Sequence, residues 1–333
     1  MYDKVLFAEA LEKLKKHSSW AIVCHENPDG DTLGCAFALY SLGKRAGKRT
    51  SVYSKDPLPA AFSFFPHSDE LTVLESLSPE ELAETLLVTV DTSTEQRALS
   101  NLPELLASCA DSLNIDHHGD NKLYAKTNLV DTNGSATAEV MTELIDAFGM
   151  GITEGEAAAL YTALTTDNGN FKYNSVTPRS HDCAKLLLSA GAHPTDIDDR
   201  IHENLTADVL KVWGAALLRT ETFADGKCAL AWLRDKEIKE AEAGANTLEG
   251  LVNMLMRIKG VRMGLFVTEK EGCVKLSVRS RGTCSARELA SKFGGGGHVN
   301  AAGATVEGSF EAVLQTVKKE AEAYVLHWAA SGR

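Results

Sequence analysis

Short apolar runs alternate with amphipathic stretches along the chain, and the alternation changes character near residue 207. Val5, Leu6, Ala8, Leu11 and Leu14 recur at helical spacing within residues 5–17. Residues 20–24 are a compact apolar run that predicts a first strand. A polar loop with Pro28 and Gly30 follows, then a buried helix over residues 32–42 that ends near Gly43 or Gly47. Residues 50–53, 86–90 and 113–115 predict further strands, and 71–73 a short edge strand. Pro57, Pro59 and Pro66 mark an irregular stretch, and residues 79–85 a helical connector. This order predicts an α/β fold, a mostly parallel sheet with helices on both faces.

Three helices come next, over residues 135–148, 153–166 and 177–190. Ser135 or Thr137 suits the cap of the first, Thr153-Glu154-Gly155-Glu156 has capping-box spacing, and Pro178 sits in the first turn of the third. Residues 191–206, rich in Asp, Pro and Gly, read as a linker. It would join an N-terminal domain, 1–190, to a smaller α+β domain, 207–333. The second domain is expected to hold a helix at 207–219, a strand at 227–232 and a helix at 247–258. Strands at 261–268 and 273–279 would follow, joined by a hairpin at Lys270-Glu271-Gly272. A helix at 285–292, a four-glycine run at 294–297 and a last helix at 310–328 complete it.

Composition adds boundaries. A length of 333 residues, 44% hydrophobic and 24% charged, is enough for two ordinary cores. No apolar window is long enough to span a bilayer, so no membrane association is expected. The first residues run directly into an amphipathic stretch and do not read as a signal peptide. Seven scattered cysteines with no C-x-x-C pair fit a reducing cytoplasm. A net charge of −12 argues against binding long duplex nucleic acid, but not against a small phosphorylated substrate.

The chemistry gathers where apolar elements end. One run stops at His25, another at Asp91, a third at Asp116-His117-His118, and residues 160–167 end on Asp167. Sites of open α/β sheets are built at strand carboxyl ends. Each residue also has a plainer reading: Asp31 as a helix cap, Asp91 as the cap of residues 92–100, Asp167 as part of a turn. Taken together, His25, Asp29, Asp31, Asp91, His117 and Asp167 are too many ligands for one ion with an open position. They suit two divalent ions that share a bridging carboxylate, the arrangement used in phosphoryl transfer. Oxygen-rich ligands with two imidazoles favour manganese or magnesium over structural zinc. Two successive histidines at a strand end point to different sides, so one can ligate while the other faces substrate. Substrate contacts are expected from the backbone of Gly295, Gly296 and Gly297, from His298 beyond them, from Arg279 and Arg281 at a strand end, and from Arg97.

These stretches carry a resemblance. His25-Glu26-Asn27-Pro28-Asp29-Gly30-Asp31, then Asp91-Thr92-Ser93, Asp116-His117-His118 and Thr166-Asp167 are similar to the ordered motifs of the DHH phosphoesterase superfamily. Residues 294–303 resemble the signature of its DHH-associated C-terminal domain. The resemblance implies that His25 and Asp29 hold one manganese ion, that Asp31, His117 and Asp167 hold the other, and that Asp91 bridges them. Magnesium or cobalt would be substitutes. It implies catalytic roles for Asp91, for His118 near the scissile phosphate and for Asp116 as support of an imidazole, with the site in a cleft between the domains. Length and domain order resemble the branch that cleaves short oligoribonucleotides and dephosphorylates 3′-phosphoadenosine-5′-phosphate (pAp). Expected partners are short RNA or nucleotides, with a homodimer left open. The alternatives are a cyclic-di-AMP or pApA phosphodiesterase, a single-strand DNA exonuclease, and an inactive nucleotide-binding module.

Overall fold

The computed structural model describes residues 2–82, 84–203, 205–240, 248, 250–270 and 272–331. The chain divides into two compact units, Met1–Asn204 and Leu205–Arg333.

The first unit is a six-stranded sheet of β1 (Ser19–Val23), β2 (Arg49–Ser54), β3 (Leu71–Val73), β4 (Leu86–Val90), β5 (Asp111–Asp116) and β6 (Thr127–Val130). All neighbours are parallel, in the order β3-β2-β1-β4-β5-β6. Helices cover both faces, as the pattern predicts, α1 (Lys4–Lys16) and α6 (Pro178–Ser189) among them. Trp20, Ile22, Val88 and Val90 point into a core built with the helices α2 (Gly30–Arg45), α4 (Thr137–Phe148) and α5 (Glu154–Asp167). Ala21, Val23 and Leu87 point the other way, against Leu102 and Leu105 of α3 (Leu102–Ser108). Strand order reverses between β1 and β4, which opens a crevice at their carboxyl ends. His25 and Asp91 follow those two ends.

Helix packing completes the crevice. A methyl group on Gly34 of α2 would run into the carbonyl of Ala159 and lie 2.9 Å from the Cβ of Ala163 on α5. One on Gly30 would collide with the Thr166 side chain. These two glycines let α2 and α5 touch, which sets the start of α2, with Asp29 and Asp31, beside the end of α5, with Asp167. In an exposed helix, Gly→Ala gains up to about 1 kcal/mol. Here the steric clash is larger, and Gly34→Ala is expected to lower stability by about 1–3 kcal/mol. Urea unfolding measures this, and an unchanged or raised midpoint would contradict the close packing.

Several local features differ from the sequence reading. The cap of α2 is Asp29, whose Oδ1 accepts the Asp31 and Thr32 N–H groups at 3.0 and 3.2 Å; Asp31 lies inside the first turn. Residues 194–201, within the expected linker, form helix α7 (Pro194–Ile201), with Pro194 in its first turn and Ile197 buried. Strand β6 and helix α3 had no separate prediction.

The second unit is a mixed six-stranded sheet of β7 (Glu221–Phe223), β8 (Cys228–Leu233), β9 (Met263–Lys270), β10 (Cys273–Ser280), β11 (Gly296–His298) and β12 (Ala301–Glu307). Its order is β11-β12-β10-β9-β8-β7, with β8 and β9 parallel and the rest antiparallel. The β9–β10 pairing matches the expected hairpin, although Glu271 in its turn lies outside the described residues. The long helix Phe310–Ala330 packs Val313, Val317, Ala321 and Val325 on one face. Helix Ala207–Leu218 and the short helix Leu251–Leu255 cover the other. Residues 241–247 and 249, which include part of the helix expected over 247–258, lie outside the described residues.

Candidate metal centre

Five elements, β1, α2, β4, β5 and α5, deliver polar ends to one place, and Asp91 is at its middle. It follows β4 with φ +55°, a left-handed conformation that is uncommon outside glycine, and its N–H still bonds the Ile115 carbonyl at 2.9 Å. Its two oxygens face different groups. Oδ2 lies 3.5 Å from Nε2 of His25, and Oδ1 lies 3.6 Å from Nε2 of His117 and 3.5 Å from Nδ1 of His118. Asp29 Oδ1 approaches His25 Nε2 at 3.6 Å. On the other side, His117 Nε2 is 4.0 Å from Asp31 and 3.3 Å from Asp167. Two triads of possible ligand atoms result, His25–Asp29–Asp91 and Asp31–His117–Asp167, each within 4.8 Å. A third group, Asp91–His117–His118, is equally tight.

Neighbouring groups set the ring nitrogens. His25 Nδ1 lies 2.7 Å from the Glu26 carbonyl, and His117 Nδ1 lies 3.3 Å from the Gly134 carbonyl. A carbonyl only accepts, so each Nδ1 donates, and each Nε2 is the nitrogen turned toward the carboxylates, the one a metal-ligating imidazole would use. His118 is different. Its Nδ1 bonds Asp116 Oδ1 at 2.8 Å, which commits that nitrogen and leaves Nε2 as the one through which it can act. Asp116, fully buried, also accepts the backbone N–H of His117 at 2.8 Å and the amide of Asn121 at 2.5 Å. The imidazole it supports is therefore that of His118, with His117 held through its backbone. The two rings do not diverge across the strand end. Their centroids are 4.7 Å apart, and both approach Asp91.

The electrostatics call for cations. Asp29, Asp31, Asp91 and Asp167 have no lysine or arginine partner among the described residues. Burial, and then the charges of Asp91, Asp167 and Asp29, hold the Asp31 carboxyl well above the usual range. Burial raises Asp167 to about 6. Burial disfavours a charged His25, but bonds to Asp29 and Asp91 outweigh it and raise the ring to about 10. For His118 burial is likewise outweighed, chiefly by Asp116, and the ring rises to about 9. Protons are held where positive charge is missing. Four carboxylates balance two divalent ions, and the oxygen and imidazole donors suit hard to borderline metals. The site can hold metal on these grounds.

These shifts make the metal-free protein sensitive to pH. Asp167 contributes stability below its unfolded pKa near 4, and that stability is lost as pH rises through about 6. His118 and His25 contribute stability below about 6.5, and it is lost as pH rises through about 9 and about 10. The chelated protein should therefore melt at steadily lower temperature between about pH 5 and about pH 9. Saturating divalent cation should flatten the slope, because ions replace the protons. A chelated melting temperature that stays level or climbs would contradict this.

The other expected contacts are placed as follows. Arg97 ends a short 3-10 turn, and its carbonyl accepts the Glu26 N–H at 2.5 Å, so it sits against the loop that carries His25. In the second unit Arg279 lies on β10. Arg281 lies one residue past the end of that strand, with its guanidinium on the Met256 carbonyl, so the two are not simple neighbours on one strand face. The glycine run is structured. Gly296 and Gly297 pair with Gly303 and Ala302, a methyl group at Gly295 would lie 2.6 Å from the Cβ of Ala304, and Gly297 has φ +133°. The Gly295 N–H bonds the Ala290 carbonyl at 3.0 Å, so this amide is not available to an anion. The backbone of His298 belongs to β11; its side chain lies outside what is described.

Asn121 and Thr137 were not singled out as site residues. Thr137 was legible as a helix cap, but Ala136 holds the cap position, and no side chain of that segment caps α4.

The first unit matches the DHH family, N-terminal domain, over residues 19–166, and the second matches the DHHA1 domain over residues 225–325. Relatives include a Thermus thermophilus protein named bifunctional oligoribonuclease and PAP phosphatase NrnA, 32% identical over 90% of this chain and 89% of that one. A Bacillus subtilis protein of the same name is 24% identical over 90% of this chain and 94% of that one. Among solved structures, an exopolyphosphatase-related protein from Bacteroides fragilis superposes with a TM-score of 0.91 at 25% identity, over 97% of both chains. The fold and the site together define a phosphoester hydrolase. More particularly, the chain belongs to the DHH family and carries a DHHA1 domain after its N-terminal unit. No helix among the described residues is long and apolar enough to cross a membrane.

Proposed function

We propose that this protein hydrolyses short oligoribonucleotides to mononucleotides with two divalent cations, manganese foremost, and that it also dephosphorylates pAp. The observation that carries the reading is the convergence of two ligand triads on Asp91, one on each of its oxygens. His25 and Asp29 would hold one ion, Asp31, His117 and Asp167 the other, and Asp91 both. Divalent cations held there would supply activation of a water and charge stabilisation for an in-line displacement at phosphorus. The protein's part is to hold that geometry. The Glu26 and Gly134 carbonyls fix the two ligating rings, and Asp116 fixes His118, which donates to the phosphate or the leaving oxygen through Nε2. Arg97 of the first unit and Arg279, Arg281, Gly296, Gly297 and His298 of the second are the proposed phosphate contacts. The relatives named for oligoribonuclease and pAp phosphatase activity match nearly the whole chain, and the acidic net charge suits short substrates.

The test is a panel of RNA di- to pentanucleotides, 24-mers, pAp, pApA and cyclic-di-AMP, run with manganese. The expected order places the di- to pentanucleotides well above the 24-mers, with measurable release of phosphate from pAp. Faster cleavage of the 24-mers would overturn the short-substrate reading. Turnover of cyclic-di-AMP above the dinucleotides would shift it to a cyclic-dinucleotide phosphodiesterase.

A further inference from the structure

Thr137 touches two of the carboxylates at once. Its hydroxyl donates to Asp91 Oδ1 at 2.8 Å. Its backbone N–H donates to Asp31 Oδ2 at 2.7 Å, and the next N–H, of Ala138, donates to Asp31 Oδ1 at 3.0 Å. Thr137, Asp31 and Asp91 are all nearly inaccessible to solvent, so these bonds form in a low-dielectric setting where geometry is held tightly. The three groups come from three elements, α4, α2 and the end of β4. One residue thus ties Asp31, a carboxylate of one triad, to Asp91, the carboxylate of the other triad whose second oxygen faces His117. The Asp91 oxygen it holds is the one facing His117, while the opposite oxygen faces His25.

We propose that Thr137 is a positioning residue that fixes the rotation of the Asp91 carboxylate and thereby sets the spacing of two bound ions. This rests on the two-ion reading above. Without the hydroxyl the Asp91 carboxylate can turn about its Cβ–Cγ bond toward His25, and the ion on the Asp31–His117–Asp167 side loses the shared ligand. The backbone bonds to Asp31 do not depend on the side chain. Thr137→Val therefore removes one hydrogen bond and keeps the other two, and Thr137→Ser restores it.

The experiment is manganese titration of the chelated full chain, read by bound-ion count and by the electron paramagnetic resonance signal of an exchange-coupled pair. The chelated melting temperature and circular dichroism of each variant are recorded in parallel. Wild type should bind two ions and show the coupled signal. Thr137→Val should keep the first ion and bind the second about 10- to 100-fold more weakly, the usual effect of losing an outer partner, with the coupled signal lost at moderate manganese. Thr137→Ser should return both readouts to within a few-fold of wild type, and it decides the question if the valine variant misfolds. A valine variant with unchanged second-ion affinity and coupling would overturn the role of Thr137 alone, and so would a serine variant as weak as valine. A wild type that binds fewer than two ions would instead overturn the two-ion reading.

Discussion

Asp91→Ala is expected to lower kcat/KM on a dinucleotide by on the order of a thousandfold or more at saturating manganese, with the fold intact. Loss of an outer partner of a metal ligand costs about 10- to 100-fold. Asp91 is more than that, because its oxygens face both triads and no neighbouring side chain can replace a shared ligand. Its left-handed backbone also means that alanine relieves no strain by itself, since alanine is no better suited to φ +55°. Steady-state kinetics alongside circular dichroism measure the effect. Activity within tenfold of wild type would show that Asp91 is not shared between two ions.

The second large effect is at Asp31, which has two structural duties. It is buried among like charges, and it accepts the first N–H groups of α4, whose own cap residue, Ala136, has no side chain to do so. Asp31→Ala should abolish metal-induced stabilisation and also destabilise the metal-free protein by about 1–3 kcal/mol, because two buried donors lose their acceptor. Asp31→Asn should abolish metal-induced stabilisation too. Its effect on the metal-free protein should be smaller, since the amide resembles the protonated acid that burial favours there and still offers one acceptor. Urea unfolding with and without metal separates the duties. An alanine variant as stable in chelator as wild type would remove the capping role.

The sequence pattern made much of this legible, for identifiable reasons. The runs that form β1, β4 and β5 are apolar enough to be buried, and each stops on a polar residue, so the ends that build the site were visible before the sheet was. Strand β6 escaped because its four residues alternate buried and half-buried positions and include Thr127 and Asn128, a signal too short to separate from a loop. Helix α7 escaped because its Asp-rich stretch has only one fully buried residue, Ile197. Within the site, residue types and order carried the ligand candidates, while the connections among them depended on tertiary contact. Which aspartate caps α2, which imidazole Asp116 holds, and what Thr137 bonds are set by groups brought together from distant parts of the chain. The bonds from Thr137 to Asp91 and from its N–H to Asp31 span 46 and 106 residues, and nothing local announces them. Gly34 is intermediate: its position in an apolar helix was visible, but the reason for it is α5, whereas Gly30 reads as a loop residue and turns out to open α2 against Thr166.

The most direct test of the account is to strip the protein of metal, return manganese stepwise, and follow bound ions per chain together with the rate of dinucleotide hydrolysis. No appreciable rate is expected in chelator, and the rate should rise with the second bound ion and level at two per chain. Full activity in chelator, or a rate that saturates at one ion per chain, would contradict it.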